Sequence, residues 1–337
     1  MPAQADPDLA LRLARQVADL YGAATERLLR VVASRLARGI DQPGWAEAKL
    51  VEVTALRNDA QKVVAGLQAS TPDAVAAAIQ GGWEAGVRAA QPDITGTLTP
   101  STNTAAVRAL VNETVTQLAG AHTQILRSTV DTYRTVVAQA SALPVTGAGT
   151  RRQAAQQALD RFANQGITGF VDGQGRRWGL DSYAEMATRT ATGRAQVAGT
   201  LDRFQADGRD LVIVSDAPQE CRACRPWEGR VLSISGHDPH YPSLRAAQAA
   251  GLLHATCRHR LGAYIPGLTK RLTDTADPEG DAARREQRRL ERGVRQWKQR
   301  AAAALDDDTR RQCERRARDW QARLREHVAA NDLKRQP

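Results

Sequence analysis

Apolar positions recur at three- and four-residue steps through most of this chain, and that spacing predicts helices. Over residues 7–40 the stripe is Leu13, Val17, Leu20, Ala24, Leu28, Val31 and Leu36. Asp6 or Asp8, with Pro7 between them, is placed to cap its start, and Gly39 to end it. A second helix is expected over 45–67 and a third over 73–90, the latter capped by Thr71. The clearest pattern runs over 103–141, with Val107, Leu110, Val111, Val115, Leu118, Ile125, Val130, Tyr133 and Val137 along one side. Ser101 or Thr102 would cap it and Pro144 would stop it. At 1.5 Å per residue such a helix is about 55–60 Å long, a length that suits a bundle or a spoke.

Residues 143–150, rich in Gly, Thr and Pro, read as a linker. A short helix through Phe162 follows, and then a Gly-rich hairpin turn over 172–176 that lacks any phosphate-loop spacing. The next helix carries Tyr183, Met186, Thr190 and Val197 on a face. The period then changes: 211–215 and 230–234 are β-branched runs and read as strands. A short helix over 242–251 ends at Gly251. Residues 281–330 read as a helical hairpin, with Leu290, Val294, Trp297 and Ala301 facing Ala317, Trp320, Leu324 and Val328. Asp306, Asp307 and Asp308 would sit at the N-terminus of its second helix, where the helix dipole favours negative charge. The expected fold is mainly α with a small α+β domain. It divides into a helical arm or bundle (1–142), the linker (143–150), an α+β domain (151–270) and a basic hairpin tail (271–337).

Composition sharpens this picture. The chain has 42% hydrophobic residues but only 3 Phe and 2 Met, so Ala, Leu and Val must fill the core and helices must approach closely. Few aromatic side chains also argue against base stacking. The net charge of +10 is uneven: residues 1–150 hold 13 basic and 13 acidic side chains, whereas 270–337 hold 19 and 13. A basic half can face phosphate or an acidic partner, or be a solvated helical surface. No apolar run approaches the ~18–20 residues of a membrane span. The first residues lack the basic-then-apolar order of a signal peptide, so a soluble protein kept in the cytoplasm is expected.

In a reducing compartment, clustered cysteines point to metal or thiol chemistry. Cys221-x2-Cys224 and His254-x2-Cys257 are two pairs at one spacing, about thirty residues apart. Brought together they make a tetrahedral zinc site with three thiolates and one imidazole. His259 rivals His254 as the nitrogen ligand, and Arg222, Arg225 and Arg258 are interleaved to offset the negative charge. Other readings stay open: a thiol nucleophile paired with a histidine, a redox pair, or cysteines free or joined in a disulfide. Cys313 stands alone and His122 reads as a packed or surface residue. No Ser/His/Asp arrangement and no His-Glu-x-x-His motif is present, so no enzyme is expected.

The order Asp216, Cys221-x2-Cys224, Gly229, His254-x2-Cys257-Arg258 resembles the Mu F-like head-morphogenesis domain of tailed phages. The words at 183–190, 210–215, 225–229, 257–259 and 264–267 are closer to the phage minor capsid protein 2 group. This resemblance covers about 183–267. It implies a low-copy virion protein, assembled in the host cytoplasm into the head near the portal. Portal and major capsid proteins would be its partners, and packaged double-stranded DNA would be within reach of the basic half. A DNA-binding virion protein, or a maturation protease or toxin-like enzyme, are the alternatives.

Overall fold

The computed structural model describes residues 8–91, 104–145, 150–165, 170–171, 175, 177–217, 223–255, 257–270 and 277–333. It is mainly α-helical with a small three-stranded sheet, as the periodicity predicts.

Helix α1 (Leu9–Ala37) buries Val17, Tyr21, Leu28, Leu29, Val32 and Leu36. It ends where Arg38 turns extended and Gly39 takes a φ of 64°, a conformation that suits a residue without Cβ. Asp8 precedes the helix but makes no capping bond, because its carboxylate lies 2.8 Å from the Arg258 guanidinium. Asp6 and Pro7 lie outside the described residues.

The expected break near residue 70 is absent. After a short α2 (Trp45–Val51), α3 (Val53–Ala90) runs through Pro72 without interruption. Proline in a helix interior costs about 3 kcal/mol. The stripe of Leu67, Val75, Ile79 and Trp83 is buried on both sides of it, and each such side chain returns roughly 1.5–3 kcal/mol. Thr71 therefore caps nothing; it is buried and donates to the Tyr21 hydroxyl at 3.4 Å. The break comes instead at Glu52, whose carboxylate receives Lys49 at 2.8 Å and Arg35 at 3.4 Å.

Helix α4 (Thr104–Val145) has 42 residues, about 63 Å at 1.5 Å per residue, and takes Pro144 into its last turn. Its expected caps, Ser101 and Thr102, lie outside the described residues. His122 on α4 is packed, 2.8 Å from the Tyr21 hydroxyl. Helix α5 (Arg151–Gln165) follows. Strands β1 (Phe170–Val171) and β2 (Arg177–Trp178) pair antiparallel around the Gly-rich turn, of which only Gly175 is described.

Helix α6 (Leu180–Ala206) is the axis of the molecule and packs against α1, α3 and α4. Its buried positions are mostly small: Ala184, Ala187, Thr188, Ala191, Thr192, Ala195, Gly199 and Thr200. Of the predicted face only Tyr183 is fully buried, while Met186 and Val197 pack at the margins. The reason is a close crossing with α3. A Cβ on Gly86 would stand 1.9 Å from the Gln196 carbonyl oxygen, and one on Gly199 would stand 2.5 Å from that of Trp83. The Thr200 hydroxyl donates across this crossing to the Gly86 carbonyl at 3.1 Å.

Beyond Ala206 the chain builds the sheet. Strand β3 (Leu211–Val214) is central, flanked antiparallel by β4 (Val231–Ser233) and β5 (Leu261–Ala263). Val212 faces Leu232 on one side and Ala263 on the other. The third strand was not anticipated, since it is three residues long and carries a glycine. Helix α7 (Leu244–Ala249) is capped by Ser243, which accepts from the Ala246 N–H. A second, smaller core of Phe204, Val212, Val214, Leu232, Leu244 and Leu252 lies between this sheet and the end of α6.

The tail is the expected hairpin of α8 (Pro278–Ala302) and α9 (Asp307–Ala330). Gly293 makes room for the Trp320 ring, which a Cβ there would meet at 2.1 Å. Asp306 caps α9 through the Thr309 N–H at 2.8 Å. Cys313 is buried, which pushes its thiol above the ordinary value.

Candidate metal centre

The cysteine and histidine residues meet at one end of the small sheet. Cys224 immediately precedes a 3-10 turn, Arg225–Trp227, that leads into β4. Cys257 and His259 lie on the approach to β5. The two approaches are tied to the end of β3. The Val214 N–H donates to Arg230 O at 3.0 Å, the Ser215 N–H to Arg260 O at 2.9 Å, and the Arg260 N–H to the Ser215 hydroxyl at 2.9 Å. Sheet pairing thus carries two distant sequence segments to one point.

There the Cys224 and Cys257 sulfurs stand 3.4 Å apart. Cys224, Cys257 and His254 form a group whose donor atoms all lie within 4.8 Å of one another. Tetrahedral zinc with Zn–S of about 2.3 Å spaces two sulfurs by roughly 3.8 Å, so the pair needs to open by only a few tenths of an ångström. His254 is exposed and its Nδ1 lies 2.7 Å from the Ala255 carbonyl. With that nitrogen donating to the carbonyl, Nε2 is the one left to bind, an arrangement common among metal-ligating histidines. Cys221 and Arg222 lie outside the described residues.

His259, the rival nitrogen ligand, is held by two neighbours. Its ring is fully buried and spans two partners, with Nε2 2.6 Å from Glu228 Oε1 and Nδ1 3.4 Å from the Cys257 sulfur. Its backbone N–H also donates to that sulfur at 3.3 Å. Burial alone would raise the Cys257 thiol; the His259 ring and N–H, and then Cys224, outweigh it and hold the thiol below its ordinary value. Burial likewise pushes His259 down, and Cys257 and Glu228 together carry it above the usual imidazole value. The backbone donor to the Cys257 sulfur is the His259 N–H, while Arg258 turns to Asp8. Glu228 was not anticipated from the sequence; its signal was its place in the Arg225–Gly229 word.

Chemically, two thiols and an imidazole at these distances can hold a soft or borderline divalent metal. Beside them is a cleft of about 380 Å³, lined by Arg189, Arg194 and Arg260 with His254, Cys257 and His259. No described helix is long and apolar enough to cross a membrane.

The fold and the cluster together describe a mainly helical protein that carries a small metal-competent module. The chain belongs to the phage minor capsid protein 2 family, which matches residues 6–329. It is also similar to a structural protein of Lactococcus phage LL-H, 27% identical over 217 residues. That match covers 60% of this chain and 58% of the relative's length. No solved structure matches the chain.

Proposed function

We propose that this chain is a portal-proximal minor capsid component of a phage head, whose small sheet is pinned by one structural zinc ion. Cys224, Cys257 and His254 would hold the ion with Cys221 as fourth donor, and His259 would be the alternative nitrogen ligand. The observation that carries the zinc reading is the approach of two cysteines from separate approach segments to 3.4 Å, with His254 in the same group. The portal-proximal placement comes from the family resemblance. In this reading residues 1–142 form the arm that docks on portal and major capsid proteins. The module at 151–270 is the fixed head of that arm. The tail at 271–337 turns its arginines toward packaged double-stranded DNA. The protein would be assembled in the host cytoplasm and retained in the virion.

Metal analysis of the purified chain should give one zinc per molecule. A metal-free preparation that folds as wild type, together with unchanged folding of Cys224→Ser, would remove the zinc. Fractionating virions and cross-linking the chain to its neighbours tests the placement: contacts with portal subunits are expected, and contacts confined to the tail would refute it. Duplex DNA binding through the tail should weaken steeply as salt rises, because phosphate contacts release counterions.

The Cys257–His259–Glu228 alignment favours a second reading, in which Cys257 is a nucleophile with an oriented base. Under it, Cys257→Ser would lose turnover and keep its fold; under the zinc reading it loses the fold of the module.

A further inference from the structure

The sulfurs of Cys224 and Cys257 stand closer together, at 3.4 Å, than the roughly 3.8 Å that two thiolates keep around a tetrahedral zinc ion. Both are reduced. They belong to segments 33 positions apart, one leading into β4 and the other into β5. The backbone on each side is fixed by its own bonds. The Trp227 N–H donates to the Cys224 carbonyl at 2.8 Å, and the Cys257 N–H donates to the His254 carbonyl at 3.0 Å. The contact between the sulfurs is therefore set by the fold of the module.

The two sulfurs differ in access. Cys224 is fully buried, whereas Cys257 is half-buried and lines the cleft of about 380 Å³. A dissolved reagent reaches Cys257 first, with Cys224 directly behind it. The His259 N–H, 3.3 Å from the Cys257 sulfur, holds that sulfur in place. An S–S bond is about 2.05 Å long, so closure needs a shift of about 1.4 Å, shared by two side chains that each turn about one bond.

We propose that Cys224 and Cys257 form a disulfide when no metal holds them, and that this bond ties together the same two approach segments that a metal would tie. The reaction is exchange with a small-molecule disulfide such as oxidised glutathione. Cys257 loses its proton to solvent and attacks one sulfur of the reagent. The reagent's S–S bond breaks, and the departing thiolate takes up a proton. Cys224, deprotonated in turn, attacks the Cys257 sulfur of the mixed disulfide and expels the second thiolate, which is protonated. Two protein thiols are oxidised, and one disulfide is reduced to two thiols. Cross-linking residues so far apart in sequence restricts the unfolded chain, so the bond stabilises the module. Thiolate sites belong to reducing compartments and disulfides to oxidising ones, virion surfaces included. One pair of sulfurs can thus fasten the module before and after a virion leaves its host. The bond uses the sulfurs of the zinc reading without requiring that a metal ever binds.

The test treats the full chain with a chelator and oxidised glutathione, and reads the products by intact mass and non-reducing peptide mapping. The chain should lose two hydrogens and yield a Cys224–Cys257 linked peptide. In urea that selectivity should vanish, because the short Cys221–Cys224 loop then closes more readily. Cys313→Ser and Cys221→Ser should both still form the link. In hydrogen exchange, β3–β5 of the linked, metal-free chain should exchange roughly 100-fold more slowly than in the chelated, reduced chain. Added reductant should reverse the protection. Glutathione adducts alone, or a Cys221–Cys224 bond in place of the expected link, overturn the proposal. So does a linked chain whose sheet exchanges as fast as the reduced one. Zinc analysis separates the two readings. A chain that closes the link and binds no zinc loses only the zinc, and one that binds zinc but never closes the link loses only the disulfide.

Discussion

The helical body and the three-stranded module are stabilised in different ways. The body interleaves α1, α3, α4, α5 and α6 around fully buried Trp83, Tyr21, Tyr133, Leu28 and Leu29. Its helices are long, and its stability comes from area removed from water. The module has strands of three or four residues and a core of a few side chains, one of which, Phe204, is contributed by α6. Strands so short bury too little to stand alone. What fastens them is polar and local: Asp210 against Ser233 and Ser235, Ser215 against Arg260, and the paired cysteines. The body is thus redundant, with many contacts that each matter a little. The module depends on a few points.

The largest way to break that contrast is at the cysteines. A structural zinc in a small domain contributes on the order of 10 kcal/mol. Chelation, or Cys257→Ser, should abolish amide protection across β3–β5 in hydrogen exchange while the protection of α1, α3 and α4 persists. Loss of protection in both regions together would mean that they fold as one unit. The next effect belongs to the body. Gly86→Ala places a Cβ 1.9 Å from a backbone oxygen that cannot move independently, and should destabilise by about 3 kcal/mol. Gly66→Ala on the same helix meets nothing within 4 Å and should stabilise by about 1 kcal/mol. Urea melts of the two variants should therefore shift in opposite directions.

The same contrast explains what was legible in the sequence. Periodicity found α1, α4, α8 and α9 nearly to their ends because amphipathic stripes are local. It broke α3 at Pro72, where tertiary burial of Val75 and Ile79 overrides a local penalty. On α6 it found Tyr183, Met186 and Val197 but missed the buried small positions, because a helix surrounded by others buries small residues through backbone approach and shows no full apolar stripe. At the cluster, Cys224, His254 and Cys257 were readable from spacing. Glu228 was not, because its partnership with His259 depends on sheet pairing between residues 31 positions apart.

A smaller effect tests whether the tail behaves as part of the body. Asp306 caps α9 through the Thr309 N–H at 2.8 Å. Asp306→Ala should cost about 1 kcal/mol. If α8 and α9 are cooperative with the body, through Ala302, Ala303 and Leu305 in the main core, the whole melt shifts. If the hairpin is a separate unit, only exchange within α9 accelerates.

The smallest effect is a pH dependence confined to the module. Asp210 ends the chain's descent from α6 and receives the Ser233 hydroxyl at 2.6 Å and the Ser235 N–H at 2.7 Å. Burial would raise its carboxyl, but these bonds, with His237 nearby, outweigh it and hold the group below the ordinary carboxylate value. A depressed value in the folded state means that the unfolded chain takes up the proton first as pH falls. The contribution of Asp210 is therefore complete above the ordinary aspartate value, about 4, and is lost as pH drops below it toward the folded value. Exchange at the amides of Ser233 and Ser235 should accelerate in that window, after correction for intrinsic rates, before the helical body responds. In Asp210→Asn the acid step should disappear, because the amide does not titrate; its one oxygen can accept from the Ser235 N–H while its NH2 donates to the Ser233 hydroxyl. A step that survives in Asp210→Asn would assign the acid sensitivity to another carboxylate and make the module less dependent on this anchor than its small core implies.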